Sequence, residues 1–257
     1  MLFPQAPSHR AFRVWVRHLV YYRSFYLAEW AGNLGEHILW LVAFGYGLGR
    51  LVPSLDGISY AQFIGPGLMV SVAMWNATYE STYGAYSRMR IQNIYESMLM
   101  APLTVGDIVL GDLLWCASRA LIGSTLMLVV LSLFGLVGSL WAVAILPILF
   151  IEAVMFAALG LIATSLAHSF SFFNFYFSAI VMPMFFFAGT LFPIKGLPLW
   201  VERLSEALPL THAVRISRGL FIYGYVENFI WHLSFLLGFT FLFLTVACVL
   251  VSRRMVE

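Results

Sequence analysis

The chain is poor in charge and almost without lysine. Charged residues fill 10% of its 257 positions, and Lys195 is the single lysine. A phosphate-binding loop needs Gly-Lys followed by Ser or Thr, so that backbone amides and the lysine hold the phosphates. Lys195 stands between Ile194 and Gly196, outside any such loop. If ATP drives this protein, another polypeptide binds it. The net charge of +2 is too small to suggest a nucleic-acid partner. Cys116 and Cys248 lie in separate apolar runs and read as small hydrophobes, not as a disulfide framework or a metal pair. Histidines at 9, 18, 37, 168, 212 and 232 include no i, i+4 pair of the kind that binds a metal on a helix. No catalytic cluster, no metal site and no cleavable signal peptide are expected.

Apolar residues fill the space that charge leaves. They make up 61% of the chain, against about 45–50% in a soluble domain. A soluble fold of this size still needs a polar exterior, whereas lipid removes that requirement. A helix crosses the hydrocarbon layer with about 20 apolar residues. Six runs qualify: 27–51, 63–86, 108–137, 140–167, 172–192 and 229–251. The expected fold is an all-α integral membrane protein with six transmembrane helices in one domain. Gly138-Ser139 is read as a tight hairpin and 168–171 as a short turn. The two long, partly polar connectors, 87–107 and 193–228, are the natural places for functional surface outside the membrane.

Arginine placement sets the expected orientation, because basic residues are retained on the cytoplasmic side. Arg10, Arg13, Arg17, Arg23, Arg88, Arg90, Arg253 and Arg254 fall on one side of a six-span chain. Arg50, Lys195, Arg203, Arg215 and Arg218 fall on the other. Both termini are therefore expected in the cytoplasm of a multi-pass protein of the bacterial inner membrane. At ~100° per residue, Arg10, Arg13 and Arg17 share one side of an N-terminal helix, with Phe12, Trp15, Leu19, Tyr22 and Tyr26 opposite. A basic face against an aromatic face describes a helix lying on membrane lipid, here over 8–26.

Ionisable groups inside the apolar runs need partners. Glu152 stands deep in the fourth run. It reads as a structural partner for a polar neighbour on another helix, or else as a group on a substrate path. Through the hairpin, Arg119 misses its level by about 9 Å, so Arg119 is expected to snorkel to the interface or to pair with Asp112. Phe173 and Tyr176 belong to an aromatic cluster opening the fifth run. They suit packing against helices and lipid, and they are the other candidates for a substrate path.

Two loop segments carry a resemblance. The stretch from Arg88 to Gly111 begins basic, breaks at Pro102 and restarts near Thr104, and Glu96, Leu103, Gly106 and Asp107 complete its pattern. Between the fifth and sixth runs come Gly189, Phe192, Pro193, Leu197, Pro198, Leu208, Pro209, Leu210 and His212. Both closely resemble the ABC-2 type exporter permeases. Gly32-Asn33-Leu34, Gly45, Gly47, Gly49, Gly57, Tyr60 and Arg88-Met89-Arg90 resemble most the branch that exports lipo-chitooligosaccharide nodulation factors. Glu152 stands apart from that pattern.

The resemblance implies a transport subunit and not an enzyme. It implies a cytoplasmic coupling helix over 88–101 that docks on an ABC ATPase, with Tyr95, Glu96, Met98, Leu99 and Pro102 at the contact. It further implies a homodimer with two ATPase subunits, no cofactor on this chain, and ATP and Mg on the partner. Short extracellular or re-entrant helices are implied over 194–220, and an outward-moving lipo-oligosaccharide-like cargo. A stand-alone secondary transporter, or an exporter of drugs or lipids, is the alternative.

Overall fold

The structure is a computed structural model. It describes residues 7–256 except 53 and 56, with backbone alone at 33, 34 and 256. Helices make up nearly all of it. In chain order they are α1 (Ala11–Tyr22), α2 (Tyr26–Trp40), α3 (Tyr60–Tyr79), α4 (Ile94–Leu99), α5 (Val105–Leu133), α6 (Leu146–Leu166), α7 (Ser171–Tyr176), α8 (Met182–Phe187), α9 (Leu199–Glu206), α10 (Pro209–Arg218) and α11 (Phe229–Val256). A two-residue hairpin, Ser54–Leu55 against Ile58–Ser59, precedes α3.

Irregular turns lengthen several helices. A wide π turn, Leu41–Gly47, and a tight turn, Leu48–Arg50, continue α2. Two π turns carry α3 on to Ile91, and Phe177–Val181 joins α7 to α8 in the same way. Among the described residues three helices are long and apolar enough to cross a membrane: Val105–Leu133, Leu140–Leu166 and Phe229–Met255. The chain is thus an all-α membrane protein.

Local chemistry sets where helices start. Ser59 and Gln62 form a reciprocal cap on α3, and Thr104 and Asp107 do the same on α5. Each satisfies two amides that a helix start leaves unpaired. Pro66 interrupts the hydrogen-bond ladder of α3, as proline must inside a helix. This stretch of α3 is bonded from α10. Ser217 donates to the Pro66 carbonyl at 3.2 Å, and Arg218 donates to the carbonyls of Phe63 and Gly189 while lying 3.8 Å over the Phe63 ring.

The core is the contact of α6 with α3, α5 and α11. Gly160 lets α6 approach so closely that a Cβ there would stand 2.0 Å from Ser81 Oγ. Thr164 donates to the Ser81 carbonyl at 2.7 Å nearby. The N-terminal helix belongs to the same body. Ala11, Val14, His18 and Tyr22 recur with helical spacing and are buried, and Gly111 of α5 receives Val14. Met255 packs into the small cluster around Val14, Tyr95 and Ile108, so α1, α4 and the end of α11 share one end of the bundle.

One expectation changes here. The segment 88–101 is not one helix: 88–91 finishes the helix begun at α3, and α4 holds six residues. Arg88 does not mark a helix end because its side chain reaches back along the same helix. Between α8 and α11, α9 and α10 form as two helices, and the buried residues of α9 are Val201 and Ser205. The apolar residues Trp200 and Leu204 point outward.

Candidate functional site

At the end of the bundle that carries α1 and α4, ionisable residues from five elements converge. Asp112 of α5 is fully buried. It accepts hydrogen bonds from His18 Nε2 of α1 at 2.6 Å, from Arg88 Nη2 at 3.3 Å and from the Tyr95 hydroxyl of α4. Arg88 also holds Glu80 at 2.5 Å. Arg119, two turns further along α5, bridges Glu80 and Glu29 of α2. A buried carboxylate is tolerable when it is paired and hydrogen-bonded, and the charges alternate in sign along this chain. Burial, and then the Asp112 carboxylate, push the Tyr95 phenol well above its ordinary value. It therefore stays protonated and donates.

A cavity of about 280 Å³ opens beside this network. Arg17, Tyr21, Glu29, Arg88, Trp115 and Arg119 are among its walls. The outer loop is tied down as well. Arg10 donates to the Pro102 carbonyl, and the Ser8 amide donates to Asp107 Oδ1 at 2.6 Å.

The five coupling candidates divide into two groups. Tyr95 and Met98 face inward, packed with Val14, Met89 and Ile108. Glu96 and Pro102 are exposed, and Leu99 is half-buried. The apolar face of α4 holds the helix on its own protein, and the exposed surface runs through Ile91, Glu96, Ser97, Met100 and Pro102. Glu152 is fully buried on α6, and neither of its carboxyl oxygens has a partner among the described residues. Phe173 and Tyr176 are buried too. Phe173 meets Tyr83 and Tyr86 edge-on at 5.1 and 5.4 Å, joining α7 to the helix begun at α3. The Tyr176 hydroxyl also lacks a partner among the described residues, so no hydrogen bond joins it to Glu152.

The expected alternatives for Arg119 give way to its salt bridges with Glu29 and Glu80. Asp112 lies seven residues away on the same helix, about 10 Å along the axis, and is already satisfied by three other donors. Glu29, Glu80 and His18 did not stand out in sequence as members of a site. The available signal was spacing: Glu80 with Arg88, and Asp112 with Arg119, are ionisable pairs at whole-turn intervals in otherwise apolar helices.

A second polar cluster lies between α10 and α11. His212 Nδ1 stands 2.7 Å from His232 Nδ1, and His212 Nε2 stands 3.1 Å from the Glu206 carbonyl. A carbonyl only accepts, so His212 carries its proton on Nε2, and His232 donates from Nδ1.

Known proteins resemble this chain along most of its length. The chain is 33% identical to Nodulation protein J of Rhizobium leguminosarum bv. viciae, over 95% of this chain and 94% of that protein. It is 34% identical to Nodulation protein J of Sinorhizobium fredii, over 95% and 93%. Inner membrane transport permease YadH of Escherichia coli is 25% identical, over 80% and 76%. The family model described as ABC-2 type transporter matches residues 11–222, which takes in α1, the charged network and α10. The chain belongs to the ABC-2 type transporter family, as a membrane permease.

Proposed function

We propose that this chain is the membrane-spanning subunit of an ATP-driven exporter that moves an amphiphilic, lipo-oligosaccharide-like glycan outward across the inner membrane. Two copies work with two ATPase subunits, which carry ATP and Mg. The chain crosses the membrane six times: through α2 with its continuing turns, through α3, α5 and α6, through α7 with α8, and through α11. Both termini face the cytoplasm, α1 lies in the interface, and α9 with α10 form the extracellular or re-entrant connector. The resemblance of Gly32-Asn33-Leu34 and Arg88-Met89-Arg90 to the nodulation-factor branch supports the glycan, and the likeness to relatives named Nodulation protein J agrees with that branch.

One observation carries the coupling step. Tyr95 joins the short helix α4 to Asp112 of α5, and Asp112 is held by His18 of α1 and by Arg88 in the turn that continues the α3 helix. A push on the exposed edge of α4 would reach several spans through charge-assisted hydrogen bonds, the strong kind. The ATPase contact in this reading is Glu96, Ser97, Met100 and Pro102, with Ile91 beside them, while Tyr95 and Met98 transmit.

Inside-out vesicles holding the permease and its ATPase should accumulate lipo-oligosaccharide only with ATP. Accumulation driven by a proton gradient without any ATPase would establish the secondary-transporter alternative. Single cysteines at 97, 138 and 206, in a background lacking Cys116 and Cys248, test the orientation: position 97 should resist external labelling, and 138 and 206 should accept it.

A further inference from the structure

The cavity beside the charged network has a chemistry that the coupling role does not use. Its volume, about 280 Å³, falls just below the ~300 Å³ at which drug-sized pockets begin. It suits one ring-sized group. Its polar wall is charge-balanced. Arg88 is bound to Glu80 and Asp112, and Arg119 to Glu29 and Glu80. Paired guanidinium and carboxylate groups offer donors and acceptors side by side, which matches hydroxyls because each hydroxyl both donates and accepts. A bare anion would find Arg88 and Arg119 already paired and the carboxylates of Glu29 and Glu80 beside them, with Arg17 at the mouth as a counter-charge.

The rim is aromatic. Tyr21 is 67% exposed and Phe25 38% exposed. Both line the cavity, with Trp115 deeper in. Arg17 also lines it, exposed and without an ion-pair partner among the described residues. Rings at the mouth and alternating donors and acceptors behind them complement a sugar ring, with C–H faces against aromatics and hydroxyls against charged pairs.

We infer that this cavity, between α1, α2, the end of the α3 helix and α5, is a binding site for the sugar ring of an amphiphile. Its use as a cargo site rests on the export reading; its chemistry does not. Tyr21 stacks on the ring, Arg17 donates from the mouth, and the exposed apolar residues of α1 accompany the lipid portion. The site is walled by elements of one protomer.

The test is saturation-transfer NMR on the full chain in lipid nanodiscs, with chitobiose as the sugar probe and sn-glycerol 3-phosphate as the anionic probe. Chitobiose should bind saturably, and glycerol phosphate should neither bind nor compete. Tyr21 and Arg17 are exposed, so their substitution leaves the fold intact. Tyr21→Ala should weaken chitobiose about tenfold, as loss of an aromatic anchor does. Tyr21→Phe should retain it, and Arg17→Ala should weaken it less than Tyr21→Ala. No saturable chitobiose signal, or binding unchanged in Tyr21→Ala, overturns the proposal. Glycerol phosphate binding that Arg17→Ala removes and Tyr21→Ala does not would establish an anion site in its place. Co-purification of the ATPase from the same membranes reports on the export reading independently.

Discussion

The Tyr95 hydroxyl donates to the carboxylate of Asp112, a residue that also anchors His18 of the N-terminal helix. A helix of six residues is thereby fastened to α5 by a buried, charge-assisted bond. Tyr95→Phe keeps the ring and removes the donor, at a cost of about 1.5–3 kcal/mol to the docking of α4. The ATPase should still co-purify, while its stimulation by the permease and the rate of transport fall. Hydrogen exchange over 94–99 should rise in the same variant. Unchanged exchange and full transport would mean that the bond transmits nothing.

Glu96→Arg with Met100→Asp alters only the exposed edge of this region. The double variant should insert and melt like the parent but lose the ATPase on co-purification. Retention of the ATPase with full transport would place the contact elsewhere.

Arg119→Met strands Glu29 and leaves Glu80 with Arg88 alone. Breaking a buried pair costs about 3–5 kcal/mol, and the 22% exposure of the Arg119 side chain lowers the expectation to about 2–3 kcal/mol. Adding Glu29→Gln should recover part of the loss, because it removes one stranded charge. Melting temperatures of the parent, single and double variants in nanodiscs decide the matter.

Glu152→Gln should fold normally and reduce transport only moderately. The carboxyl has no partner to lose among the described residues, and an amide is cheaper to bury than a charge. Complete loss of transport at normal abundance would assign Glu152 to the substrate or proton path.

Stability should fall as the medium becomes acidic through the histidine pair. Burial holds the His212 imidazole below its ordinary value of 6.5, so the unfolded chain binds more protons in this window. Stability is full above about pH 6.5 and is lost as pH falls below it. The melting temperature measured from pH 7.5 to 5 should drop more steeply in the parent than in His212→Asn.

Much of the architecture was legible because lipid demands long apolar runs. The run at 140–167 became the helical stretch Leu140–Leu166, and the run at 229–251 lies within α11. The restart expected near Thr104 became the start of α5, where Thr104 and Asp107 cap each other. What escaped the sequence came from contacts between helices. Arg88 looks like a cytoplasmic end marker, but it folds back on Glu80 and the helix continues past it. Tyr95 and Met98 look like a free apolar face until Val14 and Ile108 are seen to cover them. The level argument rightly separated Arg119 from Glu152, yet no spacing rule could supply Glu29 from another helix. Helical period specifies which residues share a side; it does not specify which neighbour that side meets.

The docking of His18 on Asp112, 94 positions later in the chain, has a consequence for synthesis. When α1 leaves the ribosome its partner does not yet exist, and Val14 must wait for Gly111. If the N-terminus faces the cytoplasm as proposed, Arg10, Arg13 and Arg17 would meet an anionic leaflet through that interval, which attracts each of them by about 1 kcal/mol. In the orientation proposed above, charge would keep the nascent N-terminus on the cytoplasmic face until Gly111 and Asp112 arrive to seat α1.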